Sequence, residues 1–170
     1  MGKKGKVIAG TGNYCTEESI ELTRQAEKAG VDGCMLVTPY YNKPPQKGLI
    51  NHFKAIANST SLPVILYNIP SRTACNIEAE TVLTLIQVEN IVALKEAGGD
   101  FGQVSKIIAG TPDDFYVYSG QDEWNLPLMA LGAVGAISVA AHLVGKQLQK
   151  MFTAYKNGAH LEALKIHSRL

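Results

Sequence analysis

The chain has 170 residues, 46% of them hydrophobic and 18% charged, which is enough apolar material for the core of one domain. Its 16 basic and 15 acidic side chains nearly cancel, leaving a formal net charge of +1. This balance argues against binding to nucleic acid or to an anionic membrane, and no apolar run is long enough to span a bilayer. The three widely spaced cysteines form no metal or disulfide pattern, which favours a reducing, cytoplasmic location.

Short apolar segments alternate along the chain with segments of helical periodicity. Several apolar segments are nearly continuous in Val, Ile and Leu, as strands buried on both faces are. We predict six β-strands, over residues 7–9, 33–38, 63–69, 91–97, 115–119 and 135–139. The amphipathic spacing predicts helices over residues 17–29, 49–57, 82–86, 143–155 and from 159 onward. We expect Asn76 to cap the third of these helices and Gly158 to end the fourth.

Alternation of strands and helices predicts an α/β fold with parallel strands and helical crossovers. An open doubly wound sheet and a TIM (β/α)8-type barrel both fit this pattern, and no G-x-G-x-x-G follows any strand. We predict the barrel, in an incomplete form, because six βα units are visible and a closed barrel has eight. The first strand begins almost at Met1, so we expect the first two units to be missing. Residues 1–158 are predicted to form the partial barrel, and residues 159–170 to begin a truncated C-terminal helical region.

Lys95 is the side chain in the sequence most suggestive of chemistry. It follows four apolar strand residues, 91–94, without a polar break, and the two-residue period of a strand places it on one face with Ile91, Ala93 and Ala97. If that face is the barrel interior, burial lowers the pKa of the amine, and a neutral amine can form a Schiff base with a carbonyl. The alternative is a lysine that is solvated or paired with a neighbouring acid such as Glu96.

Three further candidate side chains lie at the ends of predicted strands or in the loops after them. Tyr67 ends the preceding strand, where its phenol could relay protons to an amine, or could simply bury its ring and hydrate its hydroxyl. Arg72 could clamp a carboxylate or could be an ordinary surface arginine. Tyr41 could belong to a lid, an interface or the core. Each functional interpretation is weak when its residue is taken alone.

Taken together, the motifs resemble a known family. Residues 67–70 read Tyr-Asn-Ile-Pro, and residues 91–97 read Ile-Val-Ala-Leu-Lys-Glu-Ala. With residues 10–12, 38–42 and 135–139, they resemble the dihydrodipicolinate synthase and N-acetylneuraminate lyase family of class I pyruvate aldolases. The likeness spans nearly the whole chain. Arg72 matches an arginine of the synthase branch that the lyase branch lacks.

The resemblance implies a lyase reaction in lysine and diaminopimelate biosynthesis. Lys95 would form an imine with pyruvate, and the derived enamine would attack aspartate semialdehyde to give 4-hydroxy-tetrahydrodipicolinate. Tyr67 matches the proton-relay tyrosine, and Tyr41 the tyrosine that enters the site of a neighbouring subunit. Arg72 matches the residue that binds the carboxylate of the second substrate, and Ile137 matches a position that lines the pyruvate pocket. The resemblance implies no cofactor beyond the imine, and a homo-oligomer whose ligands are these two small molecules.

The chain also departs from the family's pattern. In the family the lysine lies on the sixth strand, here on the fourth visible one, so the Gly-Thr-Thr-Gly-Glu segment of the first units is absent, as is most of the C-terminal helical domain. Ala74 stands where the family usually has Gly. We therefore expect a poorly stable closed monomer that traps pyruvate weakly and turns over slowly. The alternatives are another pyruvate-dependent keto-acid aldolase, or a catalytically silent fragment or scaffold.

Overall fold

The computed structural model describes residues 5–170. The first four residues of the predicted barrel region lie outside the described part. The strands are β1 (Ile8–Gly10), β2 (Gly33–Val37), β3 (Val64–Asn68), β4 (Ile91–Glu96), β5 (Tyr116–Ser119) and β6 (Gly135–Ala136). The helices are α1 (Thr16–Lys28), α2 (Gln46–Ala57), α3 (Pro70–Thr73), α4 (Ala79–Leu85), α5 (Phe101–Gly110), α6 (Asn125–Leu131), α7 (Ala141–Lys156) and α8 (His160–His167).

All six strands predicted from the sequence are present, and they form one parallel sheet. The strands follow one another across the sheet in chain order, from β1 to β6. A doubly wound sheet would reverse its strand order in the middle, so that alternative is wrong and the barrel order is confirmed. Among residues 5–170, β1 and β6 each pair with a single neighbour, which leaves one edge of each strand open. The described sheet is therefore part of a barrel wall.

The helix-facing side of the sheet holds the main core. In the parallel register Leu36 pairs with Leu66, Leu66 with Leu94, and Leu94 with Val117. Paired residues point to the same side of a sheet, so these four form one row across it. Together with Phe53 of α2 they belong to one buried apolar cluster. Each Å² of apolar surface removed from water stabilises the folded chain by about 25 cal/mol. This cluster is therefore the main stabilising feature of the fold.

One residue of β4 lies on the side opposite to that expected. Ile91 pairs with Val64, but the next residue of β3, Ile65, pairs with Ala93, so the register shifts between them. Ile91 consequently joins the helix-side cluster that contains Leu94. The prediction that Ile91 shares a face with Lys95 is wrong because an irregularity in the ladder interrupts the two-residue period.

Asn76 does not cap a helix, contrary to expectation. Helix α4 begins at Ala79 after Glu78, and no side chain caps it. The side chain of Asn76 instead accepts a hydrogen bond of 2.8 Å from Asn68 and donates one of 2.8 Å to Gln103. Partners from distant elements have therefore replaced the local cap.

The last two helices pack on each other through a second, smaller cluster. Leu148, Met151 and Ala154 of α7 contact Ala163 of α8 within it. Gly158 separates the helices in the left-handed region, with a φ of 79°, as expected for a helix end. The proposed division of the chain after residue 158 remains a prediction. No helix within residues 5–170 is both long and apolar enough to cross a membrane.

Candidate active site

A row of four side chains crosses the sheet on the side away from the helices. The register pairs Val37 with Tyr67, Tyr67 with Lys95, and Lys95 with Tyr118. The row lies at the carboxyl ends of the strands, where barrel enzymes bind their substrates. The fold therefore brings Tyr67 and Lys95 together, and it adds Tyr118 beside them. The sequence analysis missed Tyr118, although its position in a predicted strand next to that of Lys95 was a usable signal.

Lys95 is buried, as predicted, with 8% of its surface exposed. Its Nζ lies 4.0 Å from the centre of the Tyr67 ring. Burial lowers the pKa of the amine below the usual 10.5, and the charge of Asp122 partly opposes this shift. A larger fraction of the amine is therefore uncharged near neutral pH than in an ordinary lysine, which is the form that attacks a carbonyl.

Glu96 is not the partner of Lys95, so the paired-lysine alternative is wrong. Consecutive strand residues point to opposite faces, and Glu96 points towards the helix layer. There its carboxyl group accepts hydrogen bonds from the Asn68 amide, at 3.0 Å and 3.3 Å, and from the backbone N–H of Gly98. Burial raises the pKa of Glu96. Among the described residues, no salt bridge involves Lys95.

Gly120 packs directly against the aliphatic part of the Lys95 side chain. A Cβ atom at this glycine would stand 3.0 Å from the Cγ and Cε atoms of Lys95, and 3.0 Å from the Cβ of Ala97. Contacts that short are tighter than ordinary van der Waals packing, so a side chain at this position would require Lys95 or Ala97 to shift. The space that a side chain at position 120 would fill is therefore occupied by the side chain of Lys95.

Asp122 is the acidic residue whose charge acts on Lys95. It accepts hydrogen bonds from the hydroxyl of Ser138, from the backbone N–H of Ala140 at 3.0 Å and from the Asn125 amide at 3.3 Å. These bonds help to lower the pKa of its carboxyl group against the effect of its partial burial. Asp122 is therefore a fixed negative charge near the amine, which the sequence analysis did not identify.

The other predicted site residues, Arg72, Ile137 and Tyr41, are not members of this row. Arg72 is exposed on α3, and its charge reaches Tyr67, where it partly offsets the rise in phenol pKa caused by burial. The backbone N–H of Ile137 donates to the carbonyl of Ser119 at 2.8 Å, which places it beside Gly120. Ile137 is half-buried, and its side chain would have to face the row in order to line a pyruvate pocket.

Tyr41 is not packed into the site by its own chain. It is 90% exposed, and its φ of 72° lies in the left-handed region. Non-glycine residues adopt that region at a cost of about 1–2 kcal/mol. Its neighbour Tyr40 packs edge-to-face on Tyr14, with ring centres 5.3 Å apart. Tyr41 therefore projects into solvent from a turn that the packing of Tyr40 on Tyr14 anchors to the rest of the chain.

The described residues contain no cluster of three or more His, Cys, Asp or Glu side chains that could hold a metal ion. The chemical groups gathered at the row are one amine, two phenols and a nearby carboxylate, contributed by Lys95, Tyr67, Tyr118 and Asp122. Such a set can perform nucleophilic addition and proton transfer.

Comparison with known proteins gives a consistent result. The whole chain, residues 1–170, matches the sequence pattern of the dihydrodipicolinate synthetase family. It is 56% identical over 164 residues to the 4-hydroxy-tetrahydrodipicolinate synthase of Bacillus velezensis, covering 96% of this chain and 57% of that protein. It is 55% identical over 171 residues to the Synechocystis protein of the same name, covering 100% of this chain and 57% of the relative. The chain thus spans little more than half the length of these curated relatives.

Solved structures agree in fold. A dihydrodipicolinate synthase of Bacillus anthracis superposes with a TM-score of 0.95 at 52% identity, over 98% of this chain and 57% of that one. The enzyme of Cyanidioschyzon merolae, solved with lysine bound, gives a TM-score of 0.95 at 48% identity, over 96% of this chain and 56% of its own. The six-stranded sheet is therefore an incomplete TIM-type barrel of the kind that these proteins contain. On the match over its entire length and this level of identity, the chain belongs to the dihydrodipicolinate synthetase family.

Proposed function

We propose that this chain carries the imine-forming part of a 4-hydroxy-tetrahydrodipicolinate synthase, a class I aldolase of the lyase class. The observation that supports this most directly is the amine of Lys95, buried on the site side of the sheet and 4.0 Å from the Tyr67 ring centre. The names of the relatives point to the same reaction. The substrates are pyruvate and aspartate semialdehyde, and the product belongs to lysine and diaminopimelate biosynthesis.

The proposed reaction begins with attack of the neutral Lys95 nitrogen on the ketone carbon of pyruvate. The carbinolamine then loses water to give the imine, and Tyr67 moves the protons that this exchange requires. Loss of a methyl proton from the imine gives an enamine, whose carbon forms the new bond to the aldehyde of the second substrate. The amino group of the second substrate then adds to the imine carbon, and departure of the Lys95 amine from that carbon closes the ring, releases the cyclic product and restores the lysine. No group beyond the lysine amine is needed as a cofactor.

The other assigned residues bind and position the substrates in this proposal. Arg72, exposed on α3 with a charge that acts on the phenol of Tyr67, binds the carboxylate of aspartate semialdehyde. Ile137 lines the pyruvate pocket beside Gly120. Tyr41, which projects into solvent, reaches the site of a second copy in a homo-oligomer. A cytoplasmic setting suits the three free cysteines.

Reductive trapping tests the proposal. The chain is incubated with pyruvate and borohydride and is then digested. The mass of the peptide that contains Lys95 is measured by mass spectrometry. We expect a reduced pyruvate adduct on Lys95, its loss in Lys95→Met, and its retention in the control Lys106→Met, which alters an exposed lysine of α5. Absence of an adduct from the unaltered chain would favour the scaffold alternative.

A second candidate is a keto-acid lyase that accepts another aldehyde. Arg72 argues against it, because a guanidinium next to the site selects a second substrate that carries a carboxylate. A panel of aldehydes with and without a carboxylate separates the two. In this comparison Arg72→Ala should lower use of the carboxylated aldehydes and leave pyruvate trapping unchanged.

A further inference from the structure

Directly behind Lys95, on the helix-facing side of β3 and β4, lies a chain of hydrogen-bonded polar side chains. Asn68 and Glu96 are its centre, with 0% and 1% of their surfaces exposed. The amide nitrogen of Asn68 donates to both carboxyl oxygens of Glu96, at 3.0 Å and 3.3 Å, and to Asn76 at 2.8 Å. The amide oxygen of Asn68 accepts from the backbone N–H of Ile77 at 3.0 Å. We call this pair with its bonds the Asn68–Glu96 clamp.

The clamp joins four segments of the chain. Asn68 ends β3 and Glu96 ends β4, so their bond fixes the two strand ends that carry Tyr67 and Lys95. Bonds to residues 76 and 77 fix the far end of the segment that contains α3 and Arg72. Gln103 of α5 extends the chain of bonds by donating to the carbonyl of Ile77 at 3.1 Å.

A carboxyl group in this position is unfavourable for folding alone. Burying it among neutral partners costs free energy that an apolar side chain of similar size would not cost. Its neighbours in the helix-side cluster, such as Leu66 and Leu94, are apolar. Buried polar groups with every bond satisfied do, however, hold their partners in a single geometry. The position of the clamp, immediately behind the reacting amine, indicates what that geometry serves.

We propose that Asn68 and Glu96 are positioning residues: their hydrogen bonds set the relative position of β3 and β4 that keeps the Lys95 amine dry against Tyr67. The inference deepens the proposed function and rests on it, because positioning matters only if Lys95 is the reacting amine. Neither residue touches the substrate, since both point to the side of the sheet opposite to Lys95. Loss of either hydrogen-bonding partner lets the strand ends move and admits water to the amine.

Two single variants and their combination test the clamp. Glu96→Gln places an amide N–H against the Asn68 amide, and Asn68→Asp places a second carboxyl group against Glu96. Each removes the matched donor and acceptor. The double variant N68D/E96Q recreates one hydrogen bond with reversed polarity and keeps the net charge of the original pair. The control is Asn90→Asp, because Asn90 donates to the carbonyls of residues 57, 60 and 62 at the opposite end of the sheet.

The readout that needs no substrate is competitive acetylation of Lys95 across pH, followed by peptide mass spectrometry. Both single variants should raise the apparent pKa of the Lys95 amine towards its ordinary value and lower its labelling near pH 7 by about tenfold. By charge alone Glu96→Gln would lower the pKa of Lys95 or leave it unchanged, so a rise in this variant reports displacement of the amine and not a change of charge. The double variant should recover labelling to near that of the original chain.

Asn90→Asp should lower stability in urea and leave the Lys95 labelling profile unchanged. The clamp is disproved if the two single variants shift the profile in opposite directions, if the double variant does not recover, or if Asn90→Asp shifts it equally. Circular dichroism reports which variants are folded; should Asn68→Asp be unfolded, Glu96→Gln and the double variant decide.

Pyruvate trapping on the same proteins separates this inference from the proposed function. If the original chain forms no pyruvate adduct, the proposed function fails. The acetylation profiles still test whether the Asn68–Glu96 clamp controls the pKa of the Lys95 amine. If the adduct forms and only the single variants lose it, both are supported.

Discussion

The Nζ of Lys95 lies 4.0 Å from the centre of the Tyr67 ring, and the two residues are paired in register across β3 and β4. Two effects on the amine oppose each other in this arrangement. The ring face attracts a cation by about 0.5–2 kcal/mol, whereas loss of water disfavours the charge. Burial lowers the pKa of Lys95 even though the charge of Asp122 acts in the opposite direction. The contact therefore orients the amine without keeping it fully charged.

Replacement of Asp122 by Asn should make Lys95 more reactive at low pH. The carboxylate of Asp122 favours the ammonium form, so its removal lowers the pKa of Lys95 further. We expect the midpoint of the pH profile for pyruvate trapping to move to lower pH in Asp122→Asn. Asp114→Asn removes an exposed carboxylate after α5 and should leave the midpoint in place. A midpoint that rises in Asp122→Asn would contradict the assigned direction.

A methyl group at position 120 should displace the lysine. Because a Cβ atom there would stand 3.0 Å from two side-chain carbons of Lys95, Gly120→Ala forces the amine away from Tyr67. We expect pyruvate trapping to fall by about tenfold or more, since small misplacements of reacting groups are costly. In the control Gly145→Ala the new Cβ meets nothing within 4 Å, and trapping should be unchanged. Equal trapping by the two variants would show that the contact is unimportant.

Replacement of Ala74 by Gly should stabilise the chain. Ala74 has a φ of 54° and a ψ of 25° at the end of α3, a conformation that favours glycine. This explains physically why the resemblance led us to expect Gly at this place. Urea unfolding should show a gain of about 1 kcal/mol for Ala74→Gly. Ala55→Gly, at an exposed interior position of α2, should instead lose about 1 kcal/mol.

His52 should make stability dependent on pH. Burial lowers its pKa from 6.5 to about 4, and its Nδ1 lies 2.9 Å from the hydroxyl of Thr16. Between these pH values the unfolded chain binds more protons than the folded one, so the free energy of unfolding falls as the pH drops from 6.5 towards 4. Urea unfolding of His52→Asn, which cannot titrate, should show a smaller fall over this range. An identical fall in both proteins would remove His52 as the cause.

Sequence patterns were sufficient to predict the strands and the burial of Lys95. Runs of β-branched and aliphatic residues reflect burial on both faces, which is a property of each segment by itself. The same patterns failed at Ile91, where a shift in register with β3 reversed the face, and at Asn76, whose partners lie on β3 and α5. In both cases a neighbouring element overrode the local rule.

The sequence by itself determined which segments form strands, their parallel arrangement, and the presence of an amine at the end of an apolar strand. Only the tertiary structure decided that Tyr118 flanks this amine, that Gly120 packs on its shaft and that Asp122 supplies the nearby charge. Periodicity describes one segment at a time, whereas these relationships depend on register and packing between segments. Contacts of a few ångströms between residues far apart in the chain exist only after the strands have paired.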